Sequence, residues 1–250
     1  MRWNIFVSLL VLLTAITPPA LRVSRAQLAR YQPARATATE TATAVRSPVP
    51  SSERRCRQCD LAGADLSGQD HSRQNFREAN LTAANLTGTQ LINAVFYGAN
   101  LTQATLHQAN LQGADLSAAV LIQADFSQAQ MLHTSLMHAD LTNASLTQVE
   151  LRDAALCSAQ LQGADLSEAS LYGAILRRAD LSNADLRGAD LRYADLYQAN
   201  LTNVNLTGAR LEFATMPDGS TYNQGYIQPV NPSQGCDLPS DAAVAEQPTS

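Results

Sequence analysis

The sequence predicts an all-β solenoid, a right-handed quadrilateral β-helix of about eight coils. A period of five residues runs unbroken from Leu61 to Met216: of the 32 positions visited, 26 are Leu and the others are Phe, Met or His. Two residues before each of these lies a second series, from Cys59 to Ala214, in which 25 of 32 residues are Ala. The three remaining positions of each repeat carry mostly Asp, Asn, Ser, Thr, Gln, Gly and Arg.

A period of five fits neither a helix nor a flat strand. In an α-helix five residues advance about 500°, so successive Leu side chains would lie about 140° apart and reach every face. In a flat strand side chains alternate, so an odd period would send successive Leu residues to opposite faces. Both apolar series can point inward only if the chain turns a corner once per repeat, and Gly, Asn and Asp favour such turns.

Four repeats with four corners close a square coil. Coils stacked at the ~4.8 Å spacing of paired strands would form a rod about 38 Å long. Each level would hold four Leu and four Ala, because a square this small has no room for two large residues on one side. Right-handed winding is expected for parallel strands joined by crossovers. Burial of each Leu contributes ~1.5–3 kcal/mol, which gives the rod a core without aromatic mass.

The composition excludes several classes of function. All 17 basic residues are Arg, and the absence of Lys excludes a P-loop and a Schiff-base enzyme. The net charge of −5 disfavours a general binder of nucleic acids or anionic membranes. A rod filled by its own side chains offers no pocket for paired carboxylates, so we predict no enzyme activity and no cofactor.

The N-terminal segment, residues 1–26, predicts a signal peptide. A short basic start precedes the apolar run Ile5–Ile16, and small residues follow, with cleavage after Ala20 or Ala26. The run is short for a membrane span, so we predict export to the periplasm or a thylakoid lumen and no membrane span in the mature protein. The alternative is an uncleaved N-terminal membrane anchor, because several Arg residues follow the run and oppose translocation.

Three further segments follow the signal peptide. Residues 27–55 are rich in Ala, Thr, Pro and Ser and predict a disordered linker. Residues 56–216 contain the repeats. Residues 217–250 include five Pro and three Gly and predict an irregular tail.

The repeat unit Ala-(Asp/Asn)-Leu-(Ser/Thr/Arg)-(Gly/Asn/Gln), typified by Ala164-Asp165-Leu166-Ser167, resembles the pentapeptide-repeat family over residues 59–216. The resemblance implies a right-handed quadrilateral β-helix. The start of the repeats, Cys56-Arg57-Gln58-Cys59-Asp60-Leu61, is similar to that of exported or lumenal cyanobacterial members. The family includes DNA-mimicking proteins that bind gyrase, whereas most members have no assigned biochemical activity.

Acidic residues form columns along the predicted rod. Asp180, Asp185, Asp190 and Asp195 place one carboxylate on each side of one coil. In one interpretation the columns imitate nucleic-acid phosphates, and in the other they cap turns by binding nearby backbone groups. We favour capping, because residues 60–216 mix 16 acids with 8 Arg, which spreads a charge of −8 over the whole rod.

The histidines do not predict a metal site. Three of them fall at outward positions and lack identified partner ligands: His107, His133 and His138. His71 occupies an inward Leu position between the inward residues Gln69 and Gln74. We interpret it as part of a distorted first coil whose polar groups bind a cap or water.

The four cysteines are candidate disulfide partners. Cys56 and Cys59 fall in the inward series, where we expect a capping disulfide or two small apolar plugs. Cys157 is outward on the side that ends at Pro217, three coils below it, or about 14 Å. The chain from Pro217 to Cys236 can span that distance, so we advance the hypothesis of a Cys157–Cys236 disulfide that holds the tail along the rod.

Outward apolar residues concentrate on two neighbouring sides and predict a contact face. Such a stripe suits the protein's own tail, a second copy or a partner protein. The predicted contact face consists of Ile92, Val95, Tyr97, Leu132, Met137, Tyr172, Ile175 and Tyr197.

Together these patterns predict a non-enzymatic structural scaffold or protein-interaction rod. Its partner is an unknown protein or a second copy of the chain, and not a nucleic acid. The alternative is a nucleic-acid-mimicking inhibitor of a DNA-acting enzyme such as gyrase. That role requires the cytoplasm, so the location of the protein separates the two hypotheses.

Overall fold

The computed structural model describes residues 56–223, residues 226–229 and Cys236. Parallel pairing joins each residue that precedes an inward Leu to the residue twenty positions later, from Asp60↔Asn80 to Asp195↔Thr215. With a repeat of five, an offset of twenty means four repeats per coil, as predicted. The predicted signal peptide and linker lie outside the described residues. No helix in the described segments has the length and hydropathy of a membrane span.

The inward Leu and Ala residues form one continuous core. We number the positions of a repeat from i−2 to i+2, with the inward Leu at i and the Ala at i−2. From Leu66 to Leu196 every apolar residue at position i is 0–1% exposed, and the Ala residues beside them are buried as well. Phe76 and Phe96 stack in successive coils with ring centroids 4.9 Å apart. The interior is therefore filled by the predicted residues.

Each corner is a four-residue turn with a left-handed residue at position i+2. In the repeat of Leu161, for example, the N–H of Ala164 donates to the carbonyl of Leu161 at 3.1 Å. The φ angle at i+2 lies between 54° and 74° in every repeat, and 23 of these residues are not Gly. The left-handed conformation costs a non-glycine residue roughly 1–2 kcal/mol, so the contacts between coils must offset this strain.

Three backbone hydrogen bonds per side join each coil to the next. The N–H of Leu161 donates to the carbonyl of Asp180 at 2.7 Å, and the N–H of Gly163 donates to the carbonyl of Ser182 at 3.0 Å. In return, the N–H of Asp180 donates to the carbonyl of Ala159 at 2.9 Å. Positions i, i+2 and i−2 of one coil thus supply the groups that bind the coil above.

The remaining N–H group, at position i+1, is capped by a side chain. All 18 Asp and Asn residues at position i−1, from Asp60 to Asn205, accept a hydrogen bond from the N–H two residues later. The structure therefore confirms that the acidic columns cap turns. This explains why short Asp and Asn side chains, and not Glu, dominate the position.

The predicted irregular tail begins instead with a hairpin. Strand β1 (Ser220–Asn223) pairs antiparallel with strand β2 (Tyr226–Pro229), with Ser220 opposite Pro229. Thr221 of β1 also pairs antiparallel with Thr215 of the last coil. The prediction of an irregular tail is therefore wrong for these residues. Thr, Tyr and Ile favour strands, and the unpaired edge of the last coil supplies a backbone partner for β1.

Removal of one cap should destabilise the rod. Asp180 accepts bonds from the Ser182 N–H, Asn200 Nδ2 and Gln162 Nε2 at 2.9–3.0 Å. We expect Asp180→Ala to lower the free energy of unfolding at pH 7 by about 1 kcal/mol, as for other side-chain caps. Asp180→Asn, which keeps an acceptor for the Ser182 N–H, should lower the free energy of unfolding by a smaller amount. Urea denaturation measures both, and equal stability of the Ala variant and the wild type would contradict the capping role.

The same variants should show a defined pH dependence. The Ser182 backbone N–H is the main group that lowers the pKa of Asp180 below 3.8. Since a lowered pKa stabilises the folded state only while the carboxylate is charged, this contribution is present above pH 3.8 and is lost as the pH falls through the folded-state pKa. The stability difference between wild type and Asp180→Ala should therefore narrow in acid.

Candidate interaction surface

The described rod offers four outer sides and two ends. We name each side by the inward residue with which it begins: the Leu61, Leu66, His71 and Phe76 sides. The interior is occupied by buried Leu, Ala and Phe side chains. Candidate functional groups therefore lie on the sides or at the ends.

The carboxylates near the C-terminal end are already engaged. Arg187 binds Asp185 at 2.7 Å and Arg192 binds Asp190 at 2.6 Å, while both carboxylates also accept backbone N–H groups. The hydrogen bond from the Arg192 side chain is the main cause that lowers the pKa of Asp190. Each of these two carboxylates is thus bound by a local Arg and by the backbone of its own turn.

The predicted contact face is partly buried along its whole length. On the Phe76 side, the Arg77 guanidinium lies 4.1 Å from the centre of the Tyr97 ring, and Arg177 lies 5.1 Å from that of Tyr197. A Cβ at Gly219 would lie only 3.3 Å from the Tyr197 ring, so the start of the tail contacts this side. The partly buried members are Ile92, Leu132 and Tyr172 on the His71 side and Val95, Tyr97, Met137, Ile175 and Tyr197 on the Phe76 side.

The most exposed aromatic residues lie elsewhere, at the C-terminal end of the His71 side. Among the described residues the exposed large hydrophobics are Tyr193 (51%), Phe213 (47%) and Tyr222 (40%). The Tyr193 ring lies 5.0 Å from Phe213 and 5.2 Å from Tyr172. Tyr193 and Phe213 are not part of the predicted contact face, although two aromatic residues twenty positions apart at position i+2 are expected to lie one above the other on the rod.

The structure brings the cysteines together in two pairs. Cys56 and Cys59 are joined in a disulfide with a Cα–Cα distance of 5.2 Å, across the turn whose ends are Leu and Ala in other repeats. Cys157 is joined to Cys236, with Cα atoms 5.7 Å apart. Cys157 occupies an outward position but is only 1% exposed.

His71 is 6% exposed inside the first coil. Its Nδ1 lies 3.2 Å from Gln74 Oε1, and its ring packs edge-on against Phe76. Nε2 of His71 and Nε2 of Gln74 have no hydrogen-bond partner in the described part of the chain. The outward histidines His107, His133 and His138 join no group of three His, Cys, Asp or Glu residues suited to a metal within the described residues.

Comparisons with known proteins agree with this geometry. The family model for pentapeptide repeats matches in eight copies between residues 55 and 217. A search of curated proteins finds no match. Among solved structures, similar chains include HetL, a pentapeptide repeat protein involved in heterocyst differentiation regulation from Nostoc sp. strain PCC 7120, at 31% identity over 67% of this chain and 87% of that one, with a TM-score of 0.40.

Two further structures show the spread of such relatives. A pentapeptide repeat protein from the Arabidopsis thaliana thylakoid lumen is 32% identical over 48% of this chain and 70% of its own, with a TM-score of 0.31. QnrB1, a plasmid-mediated fluoroquinolone resistance protein, is 24% identical over 62% and 78%, with a TM-score of 0.39. The repeat match over most of the rod shows that the chain belongs to the pentapeptide repeat family and is a right-handed quadrilateral β-helix.

Proposed function

We propose that the protein is an exported, non-enzymatic scaffold that binds a partner protein through the outside of its rod. The observation that carries this proposal is the filled interior: in successive coils, buried Leu and Ala side chains occupy the space enclosed by the backbone. Chemistry that needs a desolvated pocket has no room inside such a coil. Binding is therefore confined to the sides and ends.

The state of the carboxylates supports a scaffold over a nucleic-acid mimic. A phosphate mimic needs acids that remain available to the basic groups of its target. Here the Asp side chains at position i−1 accept backbone N–H groups, and Asp185 and Asp190 also bind Arg187 and Arg192. Inhibition of a DNA-acting enzyme such as gyrase remains the alternative function, and it requires a cytoplasmic protein.

The cysteine pairs support export. All four cysteines of the chain are joined in disulfides, Cys56–Cys59 and Cys157–Cys236. Stable disulfides are typical of oxidising compartments such as the periplasm and are rare in the cytosol. Together with the signal peptide predicted in residues 1–26, they favour a periplasmic or lumenal protein.

The Cys157–Cys236 disulfide should hold the tail on the rod. It links residues 79 apart, so the chain-entropy model predicts that its loss lowers the free energy of unfolding by about 4.5 kcal/mol. The Cys56–Cys59 bond closes a loop of only a few residues and should contribute about 2 kcal/mol. Denaturation of Cys157→Ser/Cys236→Ser and Cys56→Ser/Cys59→Ser variants compares the two. Alkylation of Cys157 and Cys236 in mature protein under non-reducing conditions would refute the bond.

Substitution of the predicted contact face should weaken partner binding. Tyr97→Ser/Ile175→Ser removes two apolar side chains of the Phe76 side. The matched control, Val120→Ser/Ile122→Ser, removes two from the Leu61 side. We expect the first variant alone to lose partner proteins in pull-downs from the cell fraction that contains the mature protein. Unchanged partners, tail protection and oligomeric state would contradict the contact face.

The same fractions decide between the two functions. N-terminal sequencing of the mature protein should give a start at Leu21 or Gln27 in a periplasmic or lumenal fraction, as cleavage after Ala20 or Ala26 predicts. An intact Met1 in the cytoplasm would contradict export and favour the inhibitor.

A further inference from the structure

The two ends of the apolar core differ. At the N-terminal end the inward residues Cys56, Leu61 and Leu66 are already buried. At the C-terminal end the equivalent inward residues are only half-buried: Leu201, Val204, Leu206, Ala209 and Leu211. In the first coil only the inward residues Cys59, Gln69 and Gln74 are partly exposed, so the core is more exposed at its C-terminal end than at its N-terminal end.

The backbone at the open end lacks the partners that every inner coil has. Between two inner corners, the N–H groups at i−3 and i and the carbonyl at i−2 bind the next coil, as those of Arg178, Leu181 and Ala179 do. Position i−3 is position i+2 of the repeat before. In the last coil two sides carry the same triplet of groups with no backbone partner among the described residues. These triplets are Asn203 N–H, Val204 C=O and Leu206 N–H, between the corners of the Leu61 and Leu66 sides, and Gly208 N–H, Ala209 C=O and Leu211 N–H, between the corners of the Leu66 and His71 sides.

Strand β1 shows how such a triplet is satisfied without another coil. Between the corners of the His71 and Phe76 sides, the N–H of Phe213 donates to the carbonyl of Tyr222 at 2.6 Å and the N–H of Met216 donates to that of Ser220 at 2.6 Å. The Tyr222 N–H donates to the carbonyl of Ala214 at 2.8 Å. A short antiparallel strand therefore binds all three groups of one side.

We propose that the open edge of the last coil, residues 203–211, binds an extended segment of a partner protein that follows the corner at Leu206–Ala209 and adds antiparallel to the open stretch on either side of it, as β1 does on the neighbouring side. This proposal rests on the proposed scaffold function and names the surface and the form of the partner. Strand addition supplies affinity through main-chain hydrogen bonds and specificity through alternate side chains. An aliphatic residue of the partner strand covers Leu206 and Leu211, and the exposed ring of Phe213 lies beside its end.

The shape of the end favours a single strand over a second copy. Because β1 occupies the place of a further coil on the Phe76 side, it stands one strand spacing, about 4.8 Å, above the neighbouring open sides. This step keeps a second rod from meeting the last coil flat, whereas one added strand fills it. The exposed ring of Phe213, with Tyr193 stacked against it one coil below, lies at the corner next to the step.

Selection of peptides on the disulfide-bonded mature protein tests the proposal. The probe is a phage-displayed library of random linear peptides, and selected sequences are synthesised and measured by calorimetry. We expect alternating sequences with β-branched or aliphatic residues. Their binding should slow amide exchange at Asn203, Leu206, Gly208 and Leu211. Failure to select peptides, or protection confined to other residues, would overturn the proposal.

A charged variant tests whether the peptides bind at this edge or on the sides of the rod. Leu206→Glu/Leu211→Glu should weaken peptide binding at least about tenfold, since an added strand would cover both charges. Val120→Glu/Ile122→Glu on the middle of the Leu61 side is the matched control and should leave peptide binding unchanged. The exchange measurement on wild type keeps the test valid if the double variant misfolds. Equal affinity for the double variant, or wild-type dimerisation that this variant abolishes, would overturn the proposal.

The same variants separate this inference from the scaffold function. A natural partner lost from Tyr97→Ser/Ile175→Ser but retained by Leu206→Glu/Leu211→Glu would leave the scaffold function intact and overturn the strand site. A partner retained by the first variant and lost from the second would support the strand site.

Discussion

The closure of a square coil by four five-residue sides determines the rest of this structure. Each side has space for one large and one small inward residue, so Leu and Ala alternate in fixed positions. Each corner needs a left-handed residue, and each turn leaves one N–H, which Asp or Asn accepts wherever it precedes the inward residue, as Asp180 does for Ser182. The backbone strain at 23 non-glycine corners is offset by the ladder of hydrogen bonds between coils.

Most of this architecture could be predicted from the sequence, because one period specifies it. An unbroken spacing of Leu excludes helix and flat strand by geometry alone, and the Asp and Asn positions follow from the turns. The hairpin β1–β2 could not be predicted in this way. Its strands depend on the unpaired edge of the last coil, around Thr215, and no repeat pattern extends beyond Met216 to signal it.

The candidate surface was less predictable, since exposure depends on neighbours in adjacent coils and in the tail. The sequence predicts Tyr97 and Tyr197 as exposed apolar residues, but guanidinium groups and the start of the tail cover them in part. Tyr193 and Phe213, at the corner position, project further and stack on each other. The sides of the rod therefore offer partly buried apolar side chains, which suit the surface of a folded partner. The C-terminal end offers unpaired backbone groups and exposed aromatic rings, which suit an extended segment.

Native-state amide hydrogen exchange tests the central claim most directly, because in every inner coil the N–H groups at positions i−1, i and i+2 donate to a backbone carbonyl of an adjacent coil. We predict slow, cooperative exchange at positions i−1, i and i+2 from Leu81 to Leu196, and fast exchange in the free protein at Leu201, Asn203, Leu206, Gly208 and Leu211. Fast exchange throughout the inner coils, or protection of the last coil equal to that of the inner ones, would contradict the closed ladder with one open edge.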